Sequence, residues 1–222
     1  MSVNKTFSWI LVFLLIACKH KKEVIETNNQ VLAGVVSSNM AYYDFEPDIV
    51  NDTIFENNRL LDVDINLDGT RDFTLLSEFD RDIFGRDLLQ SSFSLNNTNL
   101  NKISILFRDS IIYYYVPPDS GEVQFNGYAK KLRYKDVIDG TWSPMDSLYK
   151  GLPLRGNQFY LALHLPNGQD PNEGTANNWK DARNVYMAFR REQGKDTLYG
   201  WVRMSVVGYT KIILHDYAIQ KP

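Results

Sequence analysis

Past the first thirty residues the chain alternates rather than winds. In the run from Tyr199 to Val206, Gly200, Val202, Met204 and Val206 are small or apolar, while Tyr199, Trp201, Arg203 and Ser205 are mixed. A period of two puts successive side chains on opposite faces, so this segment predicts a strand with one apolar and one mixed face. Runs of β-branched and aromatic residues between Gly, Pro, Asn and Asp clusters predict strands at 60–65, 72–79, 91–95, 102–108, 111–116, 124–134, 158–165, 185–191, 197–206 and 211–219. KISILFR and SIIYYYV, joined at Asp109, read as a hairpin. No apolar repeat at helical spacing persists beyond about two turns. Roughly ten strands with short turns predict an all-β fold, a single β-sandwich or jelly-roll-like domain. Segment 166–181 is rich in turn formers and too long to be only a connector, so it is expected to fold over the sandwich or to form a binding edge.

The N-terminus breaks this pattern. Lys5 precedes an apolar run over 7–17, too short to span a membrane but the size of a signal-peptide core. Leu15-Ile16-Ala17-Cys18 resembles the bacterial lipobox, whose cysteine is acylated and becomes the new N-terminus. The expected organisation is a lipoprotein signal at 1–17, a lipid-anchored flexible tether at 18–30 and a β domain at 31–222. The tether begins KHKK and holds few large apolar residues. Its lysines favour an anionic membrane surface. Lipoproteins exported to the cell surface in Bacteroidetes usually carry acids there, so both a periplasm-facing and an outer-membrane-surface position in the bacterial envelope stay open.

Charge narrows the partners. The chain of 222 residues has net charge −3, which argues against nucleic acid. Cleavage would remove Lys5, leaving 23 basic against the same 27 acidic side chains. Lys131, Arg133 and Lys135 alternate as a solvated strand face would. Cys18 is the lone cysteine, so no disulfide can staple the exported domain, and packing, helped by a metal, must hold it.

That metal has a candidate loop in DVDINLDGTRDF, 62–73. Asp64, Asn66, Asp68, Thr70 and Asp72 fall at relative positions one, three, five, seven and nine, with Gly69 at six. Calcium takes about six to eight oxygens, and alternate residues of a curling loop supply them, the seventh through its backbone carbonyl. Leu75 stands at position twelve, where an EF-hand has its glutamate, and strands flank the loop, so it is not an EF-hand. The alternative is an ordinary tight turn at Asp68-Gly69 with solvated acids. The loop is similar to the D-x-N-x-D-G-x-x-D loops of calcium-binding β-proteins such as FG-GAP propellers, but occurs once, so the resemblance covers a loop and not a fold. Read with AYYDFEPDIV, GTWSP, YGWV and HDYAI, it resembles Bacteroidetes-type exported lipoproteins of uncharacterised function, over roughly 41–220. Ile219 stands where that pattern usually has an aromatic. This resemblance implies an address and an architecture, not a reaction.

No catalytic motif is legible. His164 and His215 are isolated in strand-like runs, and His215 and Asp216, as strand neighbours, are expected to face opposite ways. Trp179, in the polar segment, is the candidate for stacking on a sugar ring, against the alternative of a lid over the core. Asp-(Ser/Thr)-apolar triplets place candidate O-glycosylation at Thr53, Ser110, Ser147 and Thr197, against plain turn chemistry. The expected function is a non-catalytic binding or envelope-structural module with one structural Ca2+. Its partners would be the membrane, through the lipid, and a glycan or envelope protein. The alternative is a carbohydrate-binding accessory lipoprotein or a glycan-active hydrolase.

Overall fold

The computed structural model describes residues 30–53, 58–65, 69, 71–81, 84–95, 102–107, 112–115, 124–141, 143–144, 158–164 and 178–222. Every regular element among them is a strand: β1 (Val31–Leu32), β2 (Met40–Asn51), β3 (Arg59–Val63), β4 (Phe73–Arg81), β5 (Asp87–Leu95), β6 (Lys102–Phe107) and β7 (Ile112–Tyr115) come first. They are followed by β8 (Gln124–Tyr128), β9 (Val137–Ile138), β10 (Ser143–Pro144), β11 (Gln158–His164), β12 (Val185–Gln193), β13 (Asp196–Val207) and β14 (Lys211–Gln220). One six-stranded sheet runs β10-β6-β12-β13-β14-β2, a second runs β3-β4-β5-β11-β8-β7, and β1 pairs with β9 apart from both. The fold is an all-β sandwich, as the alternation predicts.

The apolar face of β13 forms the centre of the core. Val202, Met204 and Val206, with Ile212, Leu214 and Tyr217 of β14, meet Phe73 and Leu75 of β4 and Leu161 of β11. The other face of the first sheet is covered as well. Trp201, Ala218, Ala188 and Tyr186 lie under Val31, Ala33, Leu132 and Ile138, which form a second core. Trp201 is fully buried and donates its indole N–H to Val35 O at 3.2 Å, so the mixed face of β13 is a packed one. Burying each such large apolar side chain contributes about 1.5–3 kcal/mol.

Three expectations are corrected. The hairpin at Asp109 does not form: β6 pairs with β12 in the first sheet and β7 with β8 in the second, so this connection crosses between sheets. The 124–134 strand ends at Tyr128, because the chain leaves the second sheet and Leu132 bridges to Tyr186 of the first. Lys131 consequently turns inward, its Nζ bonding Asn178 O at 2.5 Å, while Arg133 and Lys135 are exposed. The twelve-residue β2 was not expected at all. Its Asp44, Glu46, Pro47 and Asp48 contradict a central strand, but β2 is the sheet's edge, where charges and proline guard against further pairing.

At the end of β2 the two sheets are tied together. Asn51 is fully buried, and its Nδ2 donates to Arg59 O, Leu75 O and Ser77 Oγ at 3.2, 3.3 and 3.0 Å. Ser77 Oγ donates back to Asn51 O at 3.3 Å.

Candidate functional site

Two polar clusters stand out, one between the sheets at the β3–β4 connection and one on the outer face of the first sheet. In the connection, Asp72 is 3% exposed and its Oδ2 accepts the Ile65 N–H at 2.8 Å. Asp64 Oδ2 accepts the Gly69 N–H at 2.7 Å. Gly69 has φ +83, a left-handed conformation that glycine adopts without steric cost. Asp62 turns away. It faces Thr74 across the β3–β4 pair and accepts that hydroxyl at 2.7 Å and Arg71 Nη1 at 3.1 Å. The Thr74 hydroxyl first, then Arg71, hold its carboxyl below the usual range. This separates Asp62 from the expected ligand set, which begins at Asp64.

Above this loop lies a side chain the sequence reading did not single out. The Tyr217 ring stacks on Tyr43 at 4.8 Å and tilts against Phe45 at 5.6 Å. Its hydroxyl is buried and has no hydrogen-bond partner among the described residues. Burial raises its pKa, and the charges of Tyr43, Asp64 and Asp72 raise it further, which puts the phenol within electrostatic reach of both loop acids. Calcium takes carboxylate and carbonyl oxygens, which the loop itself would have to supply. Among the described residues no three His, Cys, Asp or Glu side chains cluster as a metal group, and Asn66, Asp68 and Thr70 of the expected set lie outside them.

The outer cluster is built on an irregularity. Arg203 of β13 lies opposite Asp216 and Met204 opposite Leu214, leaving His215 as an extra residue in β14. Across β14, Asp216 faces Asp44 but Leu214 faces Ile49, so residues 45–48 of β2 bow out beside His215. A bulge of this kind breaks the alternation of faces. His215 and Asp216 therefore both bond to partners on the outer face, contrary to the expectation from strand geometry. His215 Nδ1 lies 2.9 Å from Asp48 Oδ2 and its Nε2 lies 2.7 Å from Ser205 Oγ. Ser205 Oγ also accepts the Asn184 N–H at 3.0 Å. Beside them Arg203 binds Asp216 through two nitrogens, at 3.0 and 2.9 Å, and reaches Asn184 Oδ1 at 3.3 Å. Tyr42 donates to Asp216 Oδ2 at 2.7 Å. One continuous network thus runs from Asp48 on the edge strand through β14 and β13 and back to Tyr42.

Asp216 is fully buried, and this network is what makes its burial tolerable. Arg203 is held above its ordinary pKa: burial works against the cation, but the hydrogen bond and charge of Asp216 outweigh it. The connectivity Asp48–His215–Ser205 is that of a proton relay. Access is its weak point, because Ser205 is only 5% exposed and its oxygen already accepts a backbone N–H. Sequence reading missed this network because a bulge carries no spacing signature.

The remaining candidates separate. Trp179 is fully buried and donates its indole N–H to Ala129 O at 2.8 Å, so it caps the core and offers no face to a sugar. Thr197 is exposed at the start of β13 and Thr53 is half-buried just past β2. Cys18, Ser110 and Ser147 lie outside the described residues. No protein family matches the chain, and no curated protein or solved structure matches it either.

Proposed function

We propose that this chain is an exported, lipid-anchored β-sandwich, acylated at Cys18, that acts as a non-catalytic binding or envelope-structural module. Its β3–β4 connection holds a structural calcium ion. The lipobox supports the address. The observation that carries the metal is the donor-rich loop itself, with Asp72 buried, Gly69 at φ +83 and, within electrostatic reach of Asp64 and Asp72, the buried Tyr217 hydroxyl, which has no hydrogen-bond partner among the described residues. Asp64, Asn66, Asp68, the Thr70 carbonyl and Asp72 would hold the ion, which would offset their mutual repulsion and fix the corner where the two sheets approach. A domain without disulfides gains most from such a clamp. Thermal melts test this. EDTA is expected to lower Tm by several degrees and calcium to restore it, and Asp68→Ala is expected to abolish the response. A melt indifferent to millimolar calcium rejects the site.

A second reading, a hydrolase, draws on one observation, the Asp48–His215–Ser205 relay. Here His215 would take the Ser205 proton as Oγ attacks an acyl carbon, with Asp48 holding the imidazole. A serine-reactive fluorophosphonate should then label Ser205 in the native protein but not in His215→Asn. Absence of labelling leaves the relay as a clasp on the bulge.

A further inference from the structure

The chain enters the fold beside a basic and aromatic turn. Gln30 is exposed and β1 follows directly. Ala33 N donates to Asp136 O at 2.9 Å, and Lys135 N donates to Ala33 O at 2.8 Å. Tyr134 leans over Gly34, where an added Cβ would come within 2.8 Å of the ring. The turn at 133–136 is therefore fastened to the first residues after the exposed entry point.

Its outward side is basic and aromatic although the chain as a whole is acidic. Arg133 and Lys135 are exposed, Tyr134 is 55% exposed and Val137 39%. Lys135 Nζ stands 5.3 Å from the Tyr134 ring centroid. Neither Arg133 nor Lys135 forms an ion pair with a described carboxylate. Asp136 Oδ2 is occupied by the Arg133 backbone N–H, at 2.8 Å. Lys135 also has φ 70, a left-handed conformation that glycine or asparagine adopts with less strain. Beyond its contact with the Tyr134 ring, the backbone at this position does not call for a long cation. Cations with an exposed tyrosine are the combination that suits a membrane interface, where the ring sits at headgroup level and the charges meet anionic lipid.

We propose that the turn at 133–137 is a docking surface for anionic phospholipid headgroups, seated on the membrane next to the chain's own lipid anchor. The proposal rests on the acylation of Cys18. Cys18 precedes Gln30 by twelve residues, and a chain of that length spans at most about 40 Å. Tethering within that radius keeps the turn at high local concentration over the bilayer, so a contact too weak to hold a free protein is occupied most of the time. The contact fixes which side of the sandwich faces the lipid.

The acylated full chain tests this after reconstitution into vesicles of phosphatidylcholine, alone or mixed with phosphatidylglycerol. Val137→Cys, labelled with an environment-sensitive fluorophore, reports proximity to lipids carrying a headgroup nitroxide. Quenching several-fold stronger with phosphatidylglycerol is expected. It should fall about tenfold when Arg133→Glu and Lys135→Glu are combined, and fade with salt. It should persist in Arg183→Glu with Lys195→Glu, which makes the same charge change elsewhere. Equal quenching in both lipids, or equal loss in the control pair, overturns the docking surface while the anchor stands. A chain that does not stay on vesicles of either composition overturns the anchor, and the docking surface with it.

Discussion

Asn51 shows how much a single polar side chain can hold in this molecule. Its amide bonds two strands of the opposite sheet from a fully buried position. Asn51→Ala removes those donors and leaves buried acceptors bare, which should cost about 2–3 kcal/mol, read as a lower urea midpoint at unchanged slope. Tyr42 makes a different test. Burial first, then its hydrogen bond to Asp216 and the charges of Asp216 and Asp44, raise its pKa above the ordinary 10.0. The folded state therefore holds a proton that the unfolded chain releases. The resulting stability is complete below about pH 10 and drains away as pH climbs from there towards the folded value. Tyr42→Phe should be less stable than the parent at neutral pH and show a shallower loss between pH 10 and 11, in urea melts across that range. At this scale the sequence was informative only where a conformation demands a particular residue. Gly69 was legible because a sharp loop needs a positive φ. Asn51 was not, because nothing local marks an asparagine that will be buried between sheets.

Elements were more legible than residues, and for a physical reason. Alternation over eight or more residues survives any detail of packing, so β4, β12, β13 and β14 lie within a few residues of where the pattern puts them. It fails where two faces are both buried or where register slips. β13 is buried on both sides for much of its length, and its glycine is part of that fit. A Cβ on Gly200 would lie 2.5 Å from Ala218 O and 2.5 Å from the Phe189 ring. Gly200→Ala is thus expected to destabilise by about 3 kcal/mol. Adding Phe189→Leu should recover only part of that, because the clash with the β14 backbone remains; thermal melts of the single and double variants decide it. The bulge at His215 defeated the pattern outright. One inserted residue moved a histidine onto the face of its neighbour and created a network that no alternation rule contains.

For the whole molecule, the sandwich was legible but its wiring was not. Strand counts and turn spacing imply two packed layers. Which strand joins which layer depends on pairings between segments far apart in the chain. The β6–β7 connection illustrates the difference: two adjacent apolar runs with a short link suggest a hairpin, yet they belong to opposite sheets. The corner loop shows the same division. Its crowded acids are readable in the sequence, whereas Tyr217 comes within their electrostatic reach only because β14 packs against β4.

The small pairing of β1 with β9 acquires a further meaning if the protein hangs from a membrane by its N-terminus. Any tug on the anchor reaches the fold at Gln30 and is met first by a ribbon of two residue pairs, Val31 with Ile138 and Leu32 with Val137. The long central strands lie behind it, held by many more bonds. Under tension the flap should peel and bare the indole of Trp201 while both large sheets stay closed. A force trace would register this as a small early yield before the main rupture. The entry strand would then behave as a mechanical fuse, absorbing shear at the envelope before it reaches the sandwich.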